Sequence, residues 1–153
     1  MSKYRRNLPQ LESDLFLTDS GLETILYFRQ GLDLPEFAAF PLLDTADGRA
    51  RITDYMERHI RIALKNRLGF ILETPTWRAS REWGAKLGYD AERLAAANRG
   101  AVDFMMALRE RHETATTKMP ISGNIGPRGD GYDPAHLQSP DEAEDYHSEQ
   151  IAT

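Results

Sequence analysis

Two carboxylates lie at or near the ends of apolar segments, where side chains can carry out chemistry. Asp19 follows the apolar run Asp14–Thr18, and Glu73 lies inside a second run, FILET. Two carboxylates at one rim could bind an amino group or act as an acid and a base. The alternative for Asp19 is a cap on the helix that follows it. Burying an unpaired carboxylate costs free energy, so Glu73 inside an apolar run favours a functional role. The structural alternative is that Glu73 pairs with Arg78 or Arg128.

A third feature is the glycine- and proline-rich stretch Pro120–Pro134, PISGNIGPRGDGYDP. A phosphate-binding loop needs a lysine and a hydroxyl residue after its last glycine, whereas Tyr132 and Asp133 follow Gly131 here. A dinucleotide-binding fingerprint needs its glycines to open a helix directly, and about eight residues intervene before Pro140. The stretch therefore indicates a connecting loop in which the glycines serve backbone geometry. Its RGD triplet, which resembles a cell-adhesion motif, is attributed to chance.

Side chains that commonly bind metals or apolar ligands give weaker signals. The sequence has no cysteine, which excludes disulfides, thiolate nucleophiles and thiolate metal ligands from this chain. Its four histidines, at positions 59, 112, 136 and 147, lack metal-ligand spacing. His59 and His147 fall on helical stripes and are expected to be packed or hydrogen-bonded. Trp77 and Trp83 could wall an apolar pocket, although packing is the more common role of tryptophan.

The apolar pattern predicts alternating strands and helices that would position these side chains. Strands are predicted at Asp14–Thr18, Phe70–Thr74 and Pro120–Asn124, and Gly31–Pro41 is predicted to be a loop. Helices are predicted at Leu22–Gln30, from Asp47 to a C-cap at Gly69, after the N-cap Asp90, and from the capping box Ser139–Glu142 to Thr153. The apolar stripes of the last three helices contain Ile52, Tyr55, Met56, His59, Ile62 and Ala63, then Leu94, Ala97, Ala101, Met105 and Leu108, and finally Ala143, Tyr146, His147 and Gln150.

This alternation predicts an α/β fold with a parallel sheet and right-handed crossovers. The predicted strands stop at DSG, ETPTW and NIGPRGDGY. The carboxyl ends of parallel strands meet at one edge, and that edge holds the ligand site in α/β folds. The carboxylates and the glycine-rich stretch are therefore expected at one functional rim.

Composition narrows the classes of partner. The net charge is −5 and no basic cluster is present, which argues against nucleic-acid binding. No segment approaches the roughly 18 apolar residues that a membrane helix needs, and no apolar run follows the basic opening MSKYRRN. The expected location is the cytoplasm.

Four stretches together resemble the homocysteine S-methyltransferase family. They are LTDSGLETILYFRQGLDLPEFAAFPLL, FILETPTWRASREWGAKLGY, ISGNIGPRGDGY and YHSEQIA, in this order from about Leu17 onward. The resemblance implies a (β/α)8 barrel with its site at the C-terminal rim. It also implies that zinc, held by three cysteine thiolates, binds the sulfur of homocysteine and keeps it available as a thiolate. That thiolate would take a methyl group from a sulfonium, quaternary ammonium or corrinoid donor, giving methionine.

Individual positions carry over from the resemblance. Asp19 matches an aspartate that contacts the amino-acid end of homocysteine, whereas Ser20 departs from the glycine usual in the family. Arg78 stands where betaine-dependent members have an aromatic residue, which argues against betaine as donor. No catalytic residue and no metal ligand is predicted in this chain. The predicted substrate-binding residues are Asp19, Gly21, Glu73, Thr74, Thr76, Trp77, Arg78, Asn124 and Gly126.

Length and cysteine content set this chain apart from a complete barrel. A barrel takes about 250 residues, and these 153 residues are predicted to form about three βα units, the N-terminal portion of one. Residues 1–153 are therefore expected to be a partial homocysteine-binding domain, truncated at its C-terminal side. Zinc belongs to the complete family enzyme and cannot be bound through cysteine here. Open strand edges predict that a second polypeptide or a homo-oligomer completes the structure, in addition to homocysteine and a methyl donor as ligands.

Three functions remain open at this point. The first is the N-terminal part of a homocysteine S-methyltransferase that is inactive alone. The second is a non-catalytic binding or interaction module derived from the barrel. The third is a small α/β enzyme that uses Asp19 and Glu73 as acid and base.

Overall fold

A computed structural model describes residues 3–12, 14–129, 131 and 137–153. Several features of the glycine-rich stretch fall outside these residues. They are Tyr132, Asp133 and the last residue of the RGD triplet. His136, which follows the stretch, also lies outside the described residues.

Short parallel strands form the centre of the fold. They are β1 (Phe16–Leu17), β2 (Gly69–Phe70), β3 (Leu72–Glu73) and β4 (Ile121–Ser122). β1 pairs in parallel with β2, and β3 pairs in parallel with β4. The predicted parallel α/β fold is confirmed, although each strand is shorter than the sequence pattern indicated.

The single strand predicted at Phe70–Thr74 is divided between two neighbours. Only Ile71 separates β2 from β3. The N–H groups of Gly69 and Ile71 donate to the carbonyls of Leu15 and Leu17. The N–H groups of Phe70, Leu72 and Thr74 alternate with them and donate to the carbonyls of Lys118, Pro120 and Ser122 on the opposite side. Residues 69–74 therefore lie between the segments that contain β1 and β4, and both neighbours run in the same direction.

The helix predicted at Leu22–Gln30 begins as α1 (Leu22–Thr24) and continues as a π-helical turn over Ile25–Arg29. The predicted loop that follows contains short 3-10 turns at Pro35–Phe37 and from Phe40 to Asp44.

α2 (Ala46–Asn66) begins where the side chain of Thr45 accepts a 3.0 Å hydrogen bond from the N–H of Gly48. The predicted C-cap at Gly69 is wrong, because Arg67 takes the left-handed conformation that ends α2, with φ at 58°. Gly69 instead opens β2, where a Cβ atom would lie 2.2 Å from the ring of Phe16. The glycine is needed there for close packing against β1.

The later helices match the capping signals. α4 (Ala91–His112) begins at Asp90, whose side chain accepts a 2.8 Å hydrogen bond from the N–H of Arg93. α5 (Pro140–Ala152) begins at the complete capping box of Ser139 and Glu142. α3 (Arg81–Lys86) was not predicted, because its six residues are too few to show a helical period.

The core lies between the strands and the two long helices. Phe70 and Leu72 pack with Ile52, Met56 and Ile60 of α2 and with Met105 and Leu108 of α4. Ile62, predicted to be in the buried stripe of α2, is 54% exposed. Its place in the core is taken by Ile60, which is fully buried. Among the described residues, no helix combines the length and the apolar character required to cross a lipid bilayer.

Candidate functional site

A cavity of about 240 Å³ opens where β1, β3 and β4 reach their carboxyl ends. Five predicted substrate-binding residues line it, namely Asp19, Gly21, Glu73, Thr74 and Asn124. The rest of the lining comes from Thr18, Leu22, Glu23, Met56 and Pro75. The strand ends therefore bring together both carboxylates on which the functional prediction depended.

Asp19 is oriented by a tyrosine of α2. The hydroxyl of Tyr55 donates a 2.8 Å hydrogen bond to Oδ2 of Asp19 and accepts a 3.0 Å hydrogen bond from the N–H of Ser20. Gly21, with φ at 99°, occupies the N-cap of α1, and no side chain caps that helix. The alternative that Asp19 caps the following helix is therefore wrong. Its carboxylate is instead held at the cavity wall by Tyr55.

His59 on α2 contacts the residue next to Asp19. Ser20 Oγ lies 2.8 Å from Nε2 of His59, whose Nδ1 lies 3.0 Å from the carbonyl oxygen of Tyr55. The expectation that His59 is hydrogen-bonded is confirmed. Burial, together with the nearby Asp19 carboxylate, raises the pKa of Tyr55 to about 12. Tyr55 therefore keeps its proton at neutral pH and remains a hydrogen-bond donor to Asp19.

The cavity is strongly acidic. Burial raises the pKa of Glu73, and the carboxylate of Asp19 raises it further. Burial also raises the pKa of Glu23; the carboxylates of Asp19 and Glu73 add to this effect, and Arg78 opposes it. Three carboxyl groups thus share one partly desolvated space, which favours a ligand that carries positive charge.

The alternative in which Arg128 neutralises Glu73 is wrong. Nε of Arg128 donates a 2.6 Å hydrogen bond to Oε1 of Glu82 on α3 instead. Glu82 lies outside the cavity lining. The negative charge of Glu73 is therefore not compensated by this arginine.

A buried hydroxyl network connects two of the segments that line the cavity. The Oγ1 atoms of Thr74 and Thr76 lie 2.7 Å apart. Thr74 Oγ1 accepts a 3.1 Å hydrogen bond from the N–H of Asn124, and Thr76 Oγ1 donates a 2.8 Å hydrogen bond to the carbonyl of the same residue. These contacts tie the loop after β3 to the loop after β4, as parallel neighbouring strands require.

Four predicted site residues lie beside the cavity and do not line it. Thr76 belongs to the hydroxyl network described above, whereas the other three lie together, with both Arg78 and Gly126 close to Trp77. The guanidinium of Arg78 lies 4.3 Å from the ring centre of Trp77 and 3.5 Å from that of Trp83. A Cβ atom on Gly126 would lie 2.3 Å from the carbonyl oxygen of Trp77, so the two loops touch at this glycine. This geometry favours packing over a pocket wall for both tryptophans.

Sequence reasoning missed Glu23, which lines the cavity. Burial and the carboxylate of Asp19 raise its pKa, as they raise that of Glu73. The available signal was its position in the first turn of α1, just after the turn that follows β1. Met56 was predicted only as a core residue, since its place on the α2 stripe does not reveal that it also borders a cavity.

Comparison with known protein families gives a match that covers most of the chain. The model of the homocysteine S-methyltransferase family matches residues 17–153. The chain belongs to the homocysteine S-methyltransferase family. A search of curated proteins found no match.

A solved structure, that of the homocysteine methyltransferase MmuM from Escherichia coli in its metallated form, is similar in fold to this family member. The TM-score is 0.67 at 17% identity, over 96% of this chain and 51% of that chain. The chain therefore spans about half the length of the structure that it matches. The similarity supports the predicted relation to a (β/α)8 barrel, and the number of βα units stays a prediction.

The zinc site implied by the family resemblance does not fit the residues of this chain. Three thiolates are required, and the sequence contains no cysteine. Among residues 3–12, 14–129, 131 and 137–153, no group of three or more His, Cys, Asp or Glu side chains is arranged to hold a metal.

Proposed function

We propose that this chain provides the amino-acid-binding side of a homocysteine S-methyltransferase site. The reaction of that site would transfer a methyl group to the thiol of homocysteine and give methionine. The observation that carries this proposal is the cavity in which Asp19, Glu23 and Glu73 converge at the carboxyl ends of the strands. It occurs in a chain that belongs to the family.

The charge of the cavity suits the ammonium group of an amino acid. Asp19 accepts a hydrogen bond from Tyr55 at Oδ2. A carboxylate can accept several hydrogen bonds, so Asp19 can also receive one from an ammonium group. An ammonium ion placed here would favour the ionised forms of Glu23 and Glu73, whose pKa values are raised in its absence. Binding and charge neutralisation would therefore support each other.

The sulfur of homocysteine would need groups that this chain does not contain. We propose that the zinc ligands come from polypeptide other than residues 1–153. A homo-oligomer could cover open strand edges, but a second copy has no cysteine either. Thiolates from polypeptide outside residues 1–153, whether a continuation of this chain or a second polypeptide, would meet this chemical requirement.

A non-catalytic binding module derived from the barrel is the second candidate. The absence of cysteine favours it, because the cavity can bind an amino acid without activating its thiol. The two candidates share the same cavity and differ in whether a partner restores methyl transfer.

Calorimetric titration of the purified protein with three thiols tests the proposal. Homocysteine carries both an amino and a carboxyl group, 3-aminopropane-1-thiol lacks the carboxyl group, and 4-mercaptobutyrate lacks the amino group. We expect the first two to bind and the third to bind at least about tenfold more weakly, as expected for loss of one charge-assisted hydrogen bond. Asp19→Asn should weaken homocysteine binding by a similar factor. Equal binding of homocysteine and 4-mercaptobutyrate, or no homocysteine binding, would contradict the proposal.

A further inference from the structure

Gln150 on α5 reaches the loop that supports the cavity wall. Its Nε2 donates a 3.0 Å hydrogen bond to the carbonyl of Thr76 and a 3.2 Å hydrogen bond to Oδ1 of Asn98 on α4. Thr76 is 4% exposed and Asn98 is 8% exposed, so both contacts are largely shielded from water. One side chain therefore joins two helices to the loop after β3.

Thr76, whose carbonyl is bound by Gln150, is in turn hydrogen-bonded to residues that line the cavity. Its side chain contacts Thr74 Oγ1 at 2.7 Å and the carbonyl of Asn124 at 2.8 Å. Thr74 and Asn124 line the cavity, whereas Thr76 and Gln150 do not. Gln150 thus lies two hydrogen bonds away from the cavity wall.

Asn98 holds the other end of the turn that residues 76–79 form after β3. Its Nδ2 donates a 2.9 Å hydrogen bond to the carbonyl of Ala79 and a 3.1 Å hydrogen bond to the carbonyl of Leu94. The N–H of Ala79 donates in turn to the carbonyl of Thr76. Gln150 and Asn98 therefore fix both ends of the turn 76–79.

The glutamine also leaves a polar atom without compensation. Oε1 of Gln150 is buried and has no hydrogen-bond partner among the described residues. A buried acceptor without a partner costs free energy, which an apolar side chain of similar size would avoid. Packing of α5 alone therefore does not account for an amide at this position, whereas the two hydrogen bonds donated by Nε2 do.

We propose that Gln150 is a positioning residue that sets the cavity wall through Thr76. In this role, its donor group keeps Thr74 and Asn124 in the arrangement that binds the ligand. The part of this inference that concerns homocysteine rests on the proposed function. The part that concerns the order of the wall is independent of any ligand.

Two variants of α5 separate positioning from helix docking. Gln150→Met keeps the side-chain volume and removes the donor. Tyr146→Phe is the matched control, because it removes the 2.9 Å hydrogen bond between the Tyr146 hydroxyl and Ser80 Oγ, which lies outside the cavity lining. Both variants lose one attachment of α5 to the segment after β3.

The first measurement is amide hydrogen exchange of Asn124, whose N–H donates to Thr74 Oγ1. We expect Gln150→Met to accelerate this exchange about fivefold, the effect of losing one buried hydrogen bond. Tyr146→Phe should leave it within about twofold. Equal exchange at Asn124 in the wild type and in Gln150→Met would overturn the inference, whether or not homocysteine binds.

The second measurement is the affinity for homocysteine, compared with urea unfolding of both variants. We expect about fivefold weaker binding for Gln150→Met and little change for Tyr146→Phe at a similar loss of stability. Equal losses of affinity in both variants would show that Gln150 only helps to hold α5 against the rest of the fold, which would contradict the positioning role. Absence of homocysteine binding to the wild type would refute the proposed function, and the exchange measurement would still decide the positioning role.

Discussion

The hydroxyl of Tyr55 on α2 lies 2.8 Å from Oδ2 of Asp19, and only Thr18 separates Asp19 from the end of β1. The same hydroxyl accepts the N–H of Ser20, so one buried side chain fixes both a carboxylate and its adjoining backbone. The position of α2 therefore determines how the Asp19 carboxylate is oriented at the cavity.

Replacement of Tyr55 by phenylalanine should therefore affect both stability and binding. The variant removes a donor to a charged acceptor and leaves the Ser20 N–H without its partner. We expect the free energy of unfolding to fall by about 2 kcal/mol and homocysteine binding to weaken. Urea unfolding and calorimetric titration measure these two effects.

Tyr27→Phe is the matched control for this change. Tyr27 is 43% exposed and contacts Phe28 and Phe37 through its ring, which phenylalanine retains. Both observables should stay near their wild-type values in this control. An Asp19 site that binds homocysteine equally well in Tyr55→Phe would contradict the positioning role of Tyr55.

The pH dependence of stability should reveal the charge of Glu73. Burial raises its pKa above the ordinary value of 4.5, and Asp19 adds to the effect. A folded state with a raised carboxyl pKa binds protons more readily than the unfolded state, so this group's stabilising contribution is complete below about pH 4.5 and is lost as pH rises through the raised pKa. Glu73→Gln cannot ionise and should escape that loss.

Urea unfolding between pH 4 and pH 8 measures this difference. We expect the free energy of unfolding of Glu73→Gln, relative to the wild type, to increase as pH rises above about 4.5. Glu110→Gln on the exposed surface of α4 serves as the control for the exchange of a carboxyl for an amide. A constant difference across the range would show that Glu73 titrates alike in the folded and unfolded states.

The contact between Gly126 and Trp77 gives a steric prediction. A Cβ atom at Gly126 would lie 2.3 Å from a backbone oxygen, which cannot move without displacing the loop after β3. Gly126→Ala should lower the free energy of unfolding by about 1–3 kcal/mol. Gly123→Ala is the control, because no atom lies within 4 Å of the added carbon. Equal stability of the two variants in urea would contradict this close approach of the loops.

Local signals in the sequence predicted the parts of the fold that depend on near neighbours. The capping box at Ser139 and the N-cap at Asp90 each involve side chains and N–H groups three residues apart, and both are confirmed. The C-cap at Gly69 failed because a glycine can serve either a left-handed turn or a close approach between strands. Only the packing of Phe16 against Gly69 distinguishes these two uses.

The candidate site was predictable to the extent that strand ends determine it. Asp19, Glu73 and Asn124 converge because parallel strands end at one edge. The contact between Tyr55 and Asp19 spans 36 residues and depends on how α2 rotates against the strands. No local pattern contains that rotation, and the stripe of α2 therefore predicted Tyr55 only as a core residue.

Zinc binding and methyl transfer provide the final test. A chain without thiolates should retain less than about 0.1 zinc ion per molecule after equilibration with zinc and gel filtration, because structural and catalytic zinc sites need three or four protein ligands. Elemental analysis measures this ratio.

In an assay with zinc, homocysteine and S-methylmethionine, methionine should not exceed the level formed without protein. A zinc-loaded homocysteine methyltransferase that accepts this donor serves as the positive control under the same conditions. Stoichiometric zinc bound together with the sulfur of homocysteine would show that this chain builds a metal site from other ligands. Either that result or turnover above the background would refute the need for thiolates from outside residues 1–153.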